Sequence, residues 1–364
     1  MAMSGAMSAA VSGLKAHMEA LNVVGNNVAN VNTYGYKAGR VTFRETIYST
    51  QSVGAAGTDV MGGTNPRQTG YGCSVGTIDL DMSTQSLALT GLATDCAIQG
   101  DGFFLVGPKT IDVNHVEDAK ALSLSRVGDF KFIDGYLVDG GGNVVYGFLT
   151  SATTDPVQGG DPGATVNKVS TDLVPIKLPQ KSTGVGNPGD AGYVAPGSAI
   201  YVGVDANGNN VDEVDNVEGF IEYEDLSIDE NGMISCVNKD TGEPVVVGYI
   251  ALASVDNPNG LIHSEGPYYT AGDAAGDINI SAPNSSVTGA LHNQDPADTT
   301  NTPTDDILAA KSQTNLMTGF LEDSGTDLAT EFSNMIIYQR GYQANTRIVT
   351  VTDTMLEELV NMKR

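Results

Sequence analysis

The residues able to do acid–base or metal chemistry are few and scattered. The four histidines, His17, His115, His263 and His292, stand far apart, and none has a ligand-type neighbour at the short spacing a metal site needs. Cys73, Cys96 and Cys236 are odd in number and widely separated, which argues against a disulfide framework and a thiolate metal site. They read as small buried apolar residues. The chain has no G-x-S-x-G elbow, no G-x-x-x-x-G-K-[ST] loop and no H-E-x-x-H helix. Carboxylates are abundant, but solvated surface is the plainer reading of any pair of them. The stretch "DANGNNVDEVDNVE" offers oxygen ligands at Asp205, Asn207 and Asn209, as a calcium loop does. It then puts Asn210 where such a loop wants glycine and Asn216 where it wants glutamate, and Asn-Gly turns produce such strings without an ion. The expectation is no catalytic residue, no cofactor and no metal.

A different chemistry is concentrated near the two ends. "GNNVANVNTYGYKAGRVTF", residues 25–43, brings together Asn26, Asn27, Asn30 and Asn32. Each amide carries donors and an acceptor on a short stem. Such groups can satisfy the open end of a terminating helix or bridge to a neighbouring subunit. Tyr34, Tyr36 and Phe43 add apolar anchors, and Lys37, Arg40 and Arg44 are placed to meet acidic groups on a next subunit. Near the other end, "YQRGYQAN" sets Gln339, Arg340, Gln343 and Asn345 beside Tyr338 and Tyr342. These are expected to hydrogen-bond across subunits. The competing reading of both stretches is an ordinary capped or solvated helix surface.

Both stretches sit on helical patterns. Met7, Val11, Leu14, Met18, Leu21 and Val28, with Gly25 in the remaining slot, alternate steps of four and three, the heptad seam of a packing helix. In the last forty residues Leu328, Met335, Tyr342, Val349 and Leu356 recur every seven. The companion column, Phe332, Gln339, Thr346, Asp353 and Val360, mixes polar with apolar, so this helix should not bury itself fully in one partner. Either the two helices pack together as one terminal unit, or each covers a domain core. Gly5 and Gly13 each weaken the first helix by roughly 1 kcal/mol relative to alanine, so its order is expected to depend on neighbours.

Between the ends the pattern turns to period two with glycine-rich turns. Asp101-Gly102, Asp134-Gly135 and Gly140 to Asn143 are hairpin signals, and "LSIDENGMISCV" followed by "TGEPVVVGYIALASV" adds two more strands. The fold class expected is α+β, with long terminal α-helices and a mainly β, sandwich- or barrel-like body between them. The divisions expected are 1–44 for the first helix and its signature, 45–75 for a connector, 76–324 for the β body and 325–364 for the last helix. Within the body, residues 150–217 look loose, with "VPIKLPQ" as an edge strand bounded by prolines, and 284–312 reads as an exposed loop.

The formal net charge of −26 lies almost wholly in the middle. Residues 1–44 carry Lys15, Lys37, Arg40 and Arg44 against Glu19, and 325–364 hold a nearly balanced set. An acidic body repels nucleic acid and anionic membrane. The N-terminus has no basic leader followed by an uninterrupted apolar core, and no run approaches a membrane span. Export, if it occurs, is expected by a route without a cleaved leader.

The amide-rich stretch resembles the N-terminal signature of the bacterial flagellar rod and hook axial proteins, and "DLATEFSNMIIYQRGYQANTRIVTVTDTMLEELVNMKR" resembles their C-terminal one. The likeness continues through "GGTNPRQTGYGCSVGTIDLDM", "AIQGDGFFLV", "SRVGDFKFIDGYLVDGGGNVVYGF" and "VVVGYIALASVDNPNGL", in the family's order. Within the family "GGTNPRQTGYG" and "GFLEDSGTDLATEFSNMI" are hook-like. The outer β domain of larger hook proteins is absent or reduced, since only residues 149–225 lie between "VVYGF" and "LSIDENG", and that keeps the distal rod open. The resemblance implies a structural subunit that forms a helical tube with copies of itself, the terminal helices making an inner domain and the β body an outer one. It implies type III export, and partners among rod, hook-cap and hook–filament junction proteins. Its interface residues would be Leu14, Met18, Leu21, Asn26, Asn27, Asn30, Asn32, Phe43, Leu328, Phe332, Met335, Gln339, Arg340, Tyr342, Gln343, Asn345, Val349 and Leu356. A secreted acidic β enzyme or calcium-binding surface protein is the reading from another class.

Overall fold

The heptad-patterned ends form two long helices, α1 (Ala2–Ala29) and α2 (Leu328–Met362), in a computed structural model. It describes residues 2–57, 61–109, 119–149, 173–184, 195–200, 217–283 and 314–362. The calcium-like stretch from Asp205, His115, His292 and the 284–312 loop fall outside these residues or nearly so. The fold is α+β, as expected, and divides into one unit made of residues 1–81 and 324–364 and a second made of 82–323.

In the first unit α1 and α2 pack against each other. At ~1.5 Å per residue they measure roughly 40 and 50 Å. Asp327 caps α2: one carboxylate oxygen accepts the Ala329 N–H at 3.0 Å and the other the Thr330 hydroxyl at 2.5 Å. After α1, four strands build a two-stranded antiparallel ribbon. β1 (Gly39–Glu45) pairs with β4 (Cys73–Leu80), from Gly39 opposite Leu80 to Glu45 opposite Cys73. β2 (Tyr48–Ser52) pairs with β3 (Arg67–Gly70), and an isolated bridge between Ala55 and Thr64 extends the ribbon. The stretch read from the sequence as a connector therefore supplies the outer half of this ribbon. Its base lies along α1, where Ser12 donates to the Tyr71 carbonyl at 3.2 Å.

The second unit is the β body. Its main sheet runs, neighbour to neighbour, through Tyr223–Ile228, Met233–Asn238, Pro244–Ile250, Val144–Leu149, Phe103–Gly107, Ser123–Ser125, Tyr268–Ala271 and Leu261–His263, all antiparallel. Its core joins Phe104, Val106, Phe130, Val145, Ile250 and Leu316. Two of the expected hairpins form in the simplest way. Asp134 and Gly135, both at positive φ, close the turn between Ile133 and Tyr136, the type I′ geometry that suits strand twist. Residues 139–143 connect Val138 to Val144. The "VPIKLPQ" stretch contributes Val174–Pro175, paired with Val144–Leu149 alone, and buries Ile176 and Leu178.

Asp101-Gly102 does not make a hairpin. Cys96–Gln99 pairs with Asn315–Thr318, over two hundred residues away, while Phe103–Gly107 joins the main sheet. The cause is Arg126, whose Nη1 donates to the carbonyls of Gly100 at 2.9 Å and Gly102 at 2.6 Å. Both glycines sit at positive φ, which turns those carbonyls onto the guanidinium. Arg126 Nε reaches Glu322 Oε2 at 3.1 Å, with both side chains almost fully buried, and Glu322 Oε1 accepts the Gln85 N–H at 2.8 Å. A buried pair so well supplied with partners costs little as it stands and a great deal when halved.

Replacing Arg126 by alanine strands the Glu322 carboxylate in the interior, so urea unfolding should show the full chain losing about 3–5 kcal/mol. The double replacement Arg126→Met, Glu322→Leu should lose distinctly less. A pH effect is expected at the start of α2. The Thr330 hydroxyl, and after it the Ala329 amide, hold the Asp327 carboxyl below its ordinary 3.8. The cap's contribution is therefore present above that pH and disappears as pH falls through the lowered value. Amide exchange at Ala329 and Thr330 should accelerate there in the parent chain, and much less so in Asp327→Asn.

Candidate assembly interface

The centre of the contact between α1 and α2 is made of small and polar residues. Asn27 meets Glu331, with Nδ2 to Oε1 at 3.1 Å, His17 meets Gly341, and Gly13 meets Asn345, so the helices run antiparallel in constant register. On α1 the buried stripe is Ala10, Gly13, Ala16, Ala20, Val24 and Asn27. On α2 the corresponding column is Glu331, Tyr338 and Asn345, half-buried, then buried Thr352.

This displaces the seam read from the sequence. Val11 and Met18 are 38% and 47% exposed, and Met7, Leu14, Leu21 and Val28 are only half-buried. On α2 Leu328, Phe332, Tyr342 and Leu356 are exposed, while Met335 and Val349 flank the contact half-buried. The period is right and the phase is shifted by about one residue. Alanine and glycine at the centre let the backbones approach closely, as large side chains would not. A reading weighted by side-chain hydrophobicity passes over them.

The amides act within the chain. Asn27 is fully buried. Its Nδ2 donates to the Gly39 carbonyl at 2.8 Å as well as to Glu331, and its Oδ1 accepts the Gly39 N–H and the Tyr36 hydroxyl, each at 3.0 Å. One side chain thus ties the end of α1 to the start of β1 and to α2. Asn26 Nδ2 donates to the Tyr36 oxygen at 3.1 Å, and Asn30 Nδ2 donates to the Asn26 carbonyl at 2.9 Å, closing the last turn of α1. Burial pushes the Tyr36 phenol above its ordinary pKa, which keeps it a donor to Asn27. Asn345 likewise turns inward, donating to the Gly341 carbonyl at 3.0 Å. In this chain Asn27 is therefore buried against its own chain's groups rather than presented at the surface. Lys37 is also buried, and Arg40 lies 3.7 Å from Asp79 of the same ribbon. Asn32, Gln339, Arg340 and Gln343 remain exposed.

Phe43 closes one flank of the helix pair. Its ring lies 5.6 Å from that of His17 and 5.9 Å from that of Tyr338, centroid to centroid, and His17 lies 6.2 Å from Tyr338. His17 is therefore a packing residue. His263 packs edge-on against Tyr269 in the β body, at 5.0 Å. Among the described residues no three His, Cys, Asp or Glu side chains gather as metal ligands would. Burial pushes the Cys96 thiol up to about 12 and that of Cys236 to about 11, so both stay protonated and inert.

The large apolar side chains of the helices face outward. Ile336, Ile337, Ile348, Val351, Met355, Leu359 and Val360 on α2 are all 46–67% exposed. Soluble chains rarely show so many on one element unless something covers them. Covering what each still exposes would contribute roughly half of the 1.5–3 kcal/mol that burying such a side chain completely does. No helix among the described residues is long and apolar enough to cross a membrane.

Comparison with known proteins places these features. Residues 7–37 match the family described as "Flagella basal body rod protein", and residues 317–362 match "Flagellar basal body rod FlgEFG protein C-terminal". The chain is 30% identical over 354 residues to the flagellar basal-body rod protein FlgG of Bacillus subtilis, covering 97% of each. It is 25% identical to the flagellar hook protein FlgE of Borreliella burgdorferi, covering 97% of this chain and 98% of that one. It is 44% identical over 102 residues to the hook protein FlgE of Treponema pallidum, 28% of this chain and 22% of that one.

The geometry of Asn27 yields a direct test. Asn27→Ala removes two donors and an acceptor from buried partners and should cost about 1–3 kcal/mol of stability, with faster amide exchange at Gly39. Asn32→Ala, at an exposed position, should stay within ~0.5 kcal/mol of the parent.

Proposed function

Since the chain belongs to the family of flagellar rod and hook proteins, we propose that it is the subunit of the flagellar hook, a tubular joint that carries torque while bending. Members of the family polymerise in the flagellar axis. The observation that carries the reading is the outward apolar face of α1 and α2, left uncovered because their mutual contact uses small residues. Copies joined head to tail through such faces build an open helical assembly. Leu14, Met18, Leu21, Leu328, Phe332, Met335, Tyr342, Val349 and Leu356 would take part at the edges of that face, with Gln339, Arg340, Gln343 and Asn32 as polar contacts. The acidic β body would let neighbouring copies slide, since like charges and turn-rich surfaces oppose adhesion.

The hook is favoured over other axial segments by "GGTNPRQTGYG" and by the high local identity to the Treponema pallidum hook protein. The end-to-end match to FlgG of Bacillus subtilis favours the distal rod as second reading. Rod, hook-cap and hook–filament junction proteins and the type III export apparatus are the partners implied by either.

The decisive experiment is electron microscopy of cells lacking the gene. Rods without hooks support the hook, and basal bodies without rod tips support the distal rod. Placing a charge on the exposed face, as in Ile337→Asp or Leu359→Asp, should leave the chain folded by circular dichroism and abolish tubes. Deleting residues 330–364 should abolish them too, and tubes of normal length from either kind of variant would refute the proposed joining surface.

A further inference from the structure

We propose that Gly13 with Asn345 and His17 with Gly341 form a register key, two reciprocal peg-and-notch contacts that allow one axial alignment of α1 against α2. Glycine inside a helix weakens it, so one kept in mid-helix calls for a packing reason. Here the reason is visible at both positions. A Cβ on Gly13 would lie 2.8 Å from Nδ2 and 3.1 Å from Cγ of Asn345. A Cβ on Gly341 would lie 2.6 Å from Nε2 and 2.7 Å from Cε1 of His17.

Neither peg is free to swing aside. Asn345 is held by its bond to the Gly341 carbonyl, so the peg of one contact is tied to the notch of the other. The His17 ring is walled by Phe43 and Tyr338, and its Nδ1 is buried without a hydrogen-bond partner. Shape rather than polarity therefore fixes the ring. On each helix notch and peg stand four residues apart, about one turn, and the antiparallel arrangement brings each peg to the other's notch.

Apart from Val24 and Asn27 at its far end, the last of which bonds Glu331, the rest of the stripe on α1 is smooth. Ala10, Ala16 and Ala20 would accept several alignments, whereas the key accepts one. Sliding α2 by a heptad brings His17 opposite Asn334 or Ile348, both of which carry side chains where the ring needs space. Gly341 is the only glycine between Leu328 and Met362, so no second alignment supplies a notch. Polar or shaped residues at single seam positions set register in paired helices in the same way. The alignment in turn decides which large apolar residues of α1 and α2 lie side by side on the exposed face. The key applies whichever axial segment the chain builds.

Two measurements on the full-length chain test it. In thermal unfolding, Gly13→Ala and Gly341→Ala should each lower Tm by several degrees, although alanine is the better helix former. Adding Asn345→Ala to Gly13→Ala, or His17→Ala to Gly341→Ala, should raise Tm above the corresponding single variant. The crossed combinations, Gly13→Ala with His17→Ala and Gly341→Ala with Asn345→Ala, should melt lower still. Singles that melt at or above the parent, or crossed pairs that recover as well as matched ones, overturn the proposal. The second measurement reads register itself, by spin labels at Lys15→Cys and Arg347→Cys in a Cys73→Ser background. The parent should give one narrow distance, and the chain with all four key positions changed to alanine should give a broad distribution or a second population shifted by ~10 Å along the axis, one heptad. The same single distance in both chains overturns it.

Discussion

α2 can lay large and polar side chains against α1 only because α1 carries little bulk at the contact, and much of the first unit follows from that constraint. Ala10, Gly13, Ala16 and Ala20 hold the centre of α1, so α2 can lay even Asn345 and Thr352 along it. Most polar groups there are satisfied locally: Asn345 bonds Gly341, Thr352 bonds the Ile348 and Val349 carbonyls, and Asn27 serves the start of β1 and Glu331 together, while His17 Nδ1 and Glu331 Oε2 are buried without a hydrogen bond. Large side chains are displaced to the flanks. Phe43, from β1, seals one flank with His17 and Tyr338.

The β body rests on a different closure. Its first and last segments meet when Leu87–Leu89 pairs with Phe320–Glu322 and Cys96–Gln99 with Asn315–Thr318. Loop closure over such a separation is entropically costly and gains nothing until the strands are in place. Arg126 collects the Gly100 and Gly102 carbonyls, the Thr84 hydroxyl and the Glu322 carboxylate at one buried point beside that closure. A buried ion pair is a poor source of net stability but a good source of uniqueness, because every alternative pairing leaves a charge stranded.

What could be read beforehand follows the range of the interactions involved. The helices announced themselves, since a heptad period is intrinsic to the segment, and the turn at Asp134-Gly135 was legible because two adjacent residues determine it. The phase of the heptad was not, because the buried face of a helix is chosen by its partner, and Ala16 or Ala20 weighs little on any hydrophobicity scale. The mixed column through Gln339 and Asp353 did signal incomplete burial of α2. Asp101-Gly102 looked like a hairpin, and Arg126, a distant residue, decided otherwise. The asparagines were correctly singled out for their chemistry, but no local signal says whether an amide's partner lies in the same chain. Asn27 has partners nine and twelve positions on, at Tyr36 and Gly39, and another at Glu331, over three hundred positions away.

The division between a small-residue contact and an outward apolar face has an energetic logic for a polymerising subunit. A buried leucine or isoleucine contributes about 1.5–3 kcal/mol, and an alanine far less. Had Leu14, Met18, Ile337 and Leu359 filled the contact between α1 and α2, the chain alone would be more stable and would have little left to offer a neighbour. With alanines inside, the helix pair gains modest stability by itself and leaves its larger apolar side chains exposed, where the proposed joining surface would draw on them. Association then adds to folding in the same helices, because covering that face stabilises the paired state over any other. The polar column of α2 completes the logic. Glu331, Asn345 and Thr352 add little affinity between the helices but tolerate few alternative alignments, so the exposed face of the pair is a defined one.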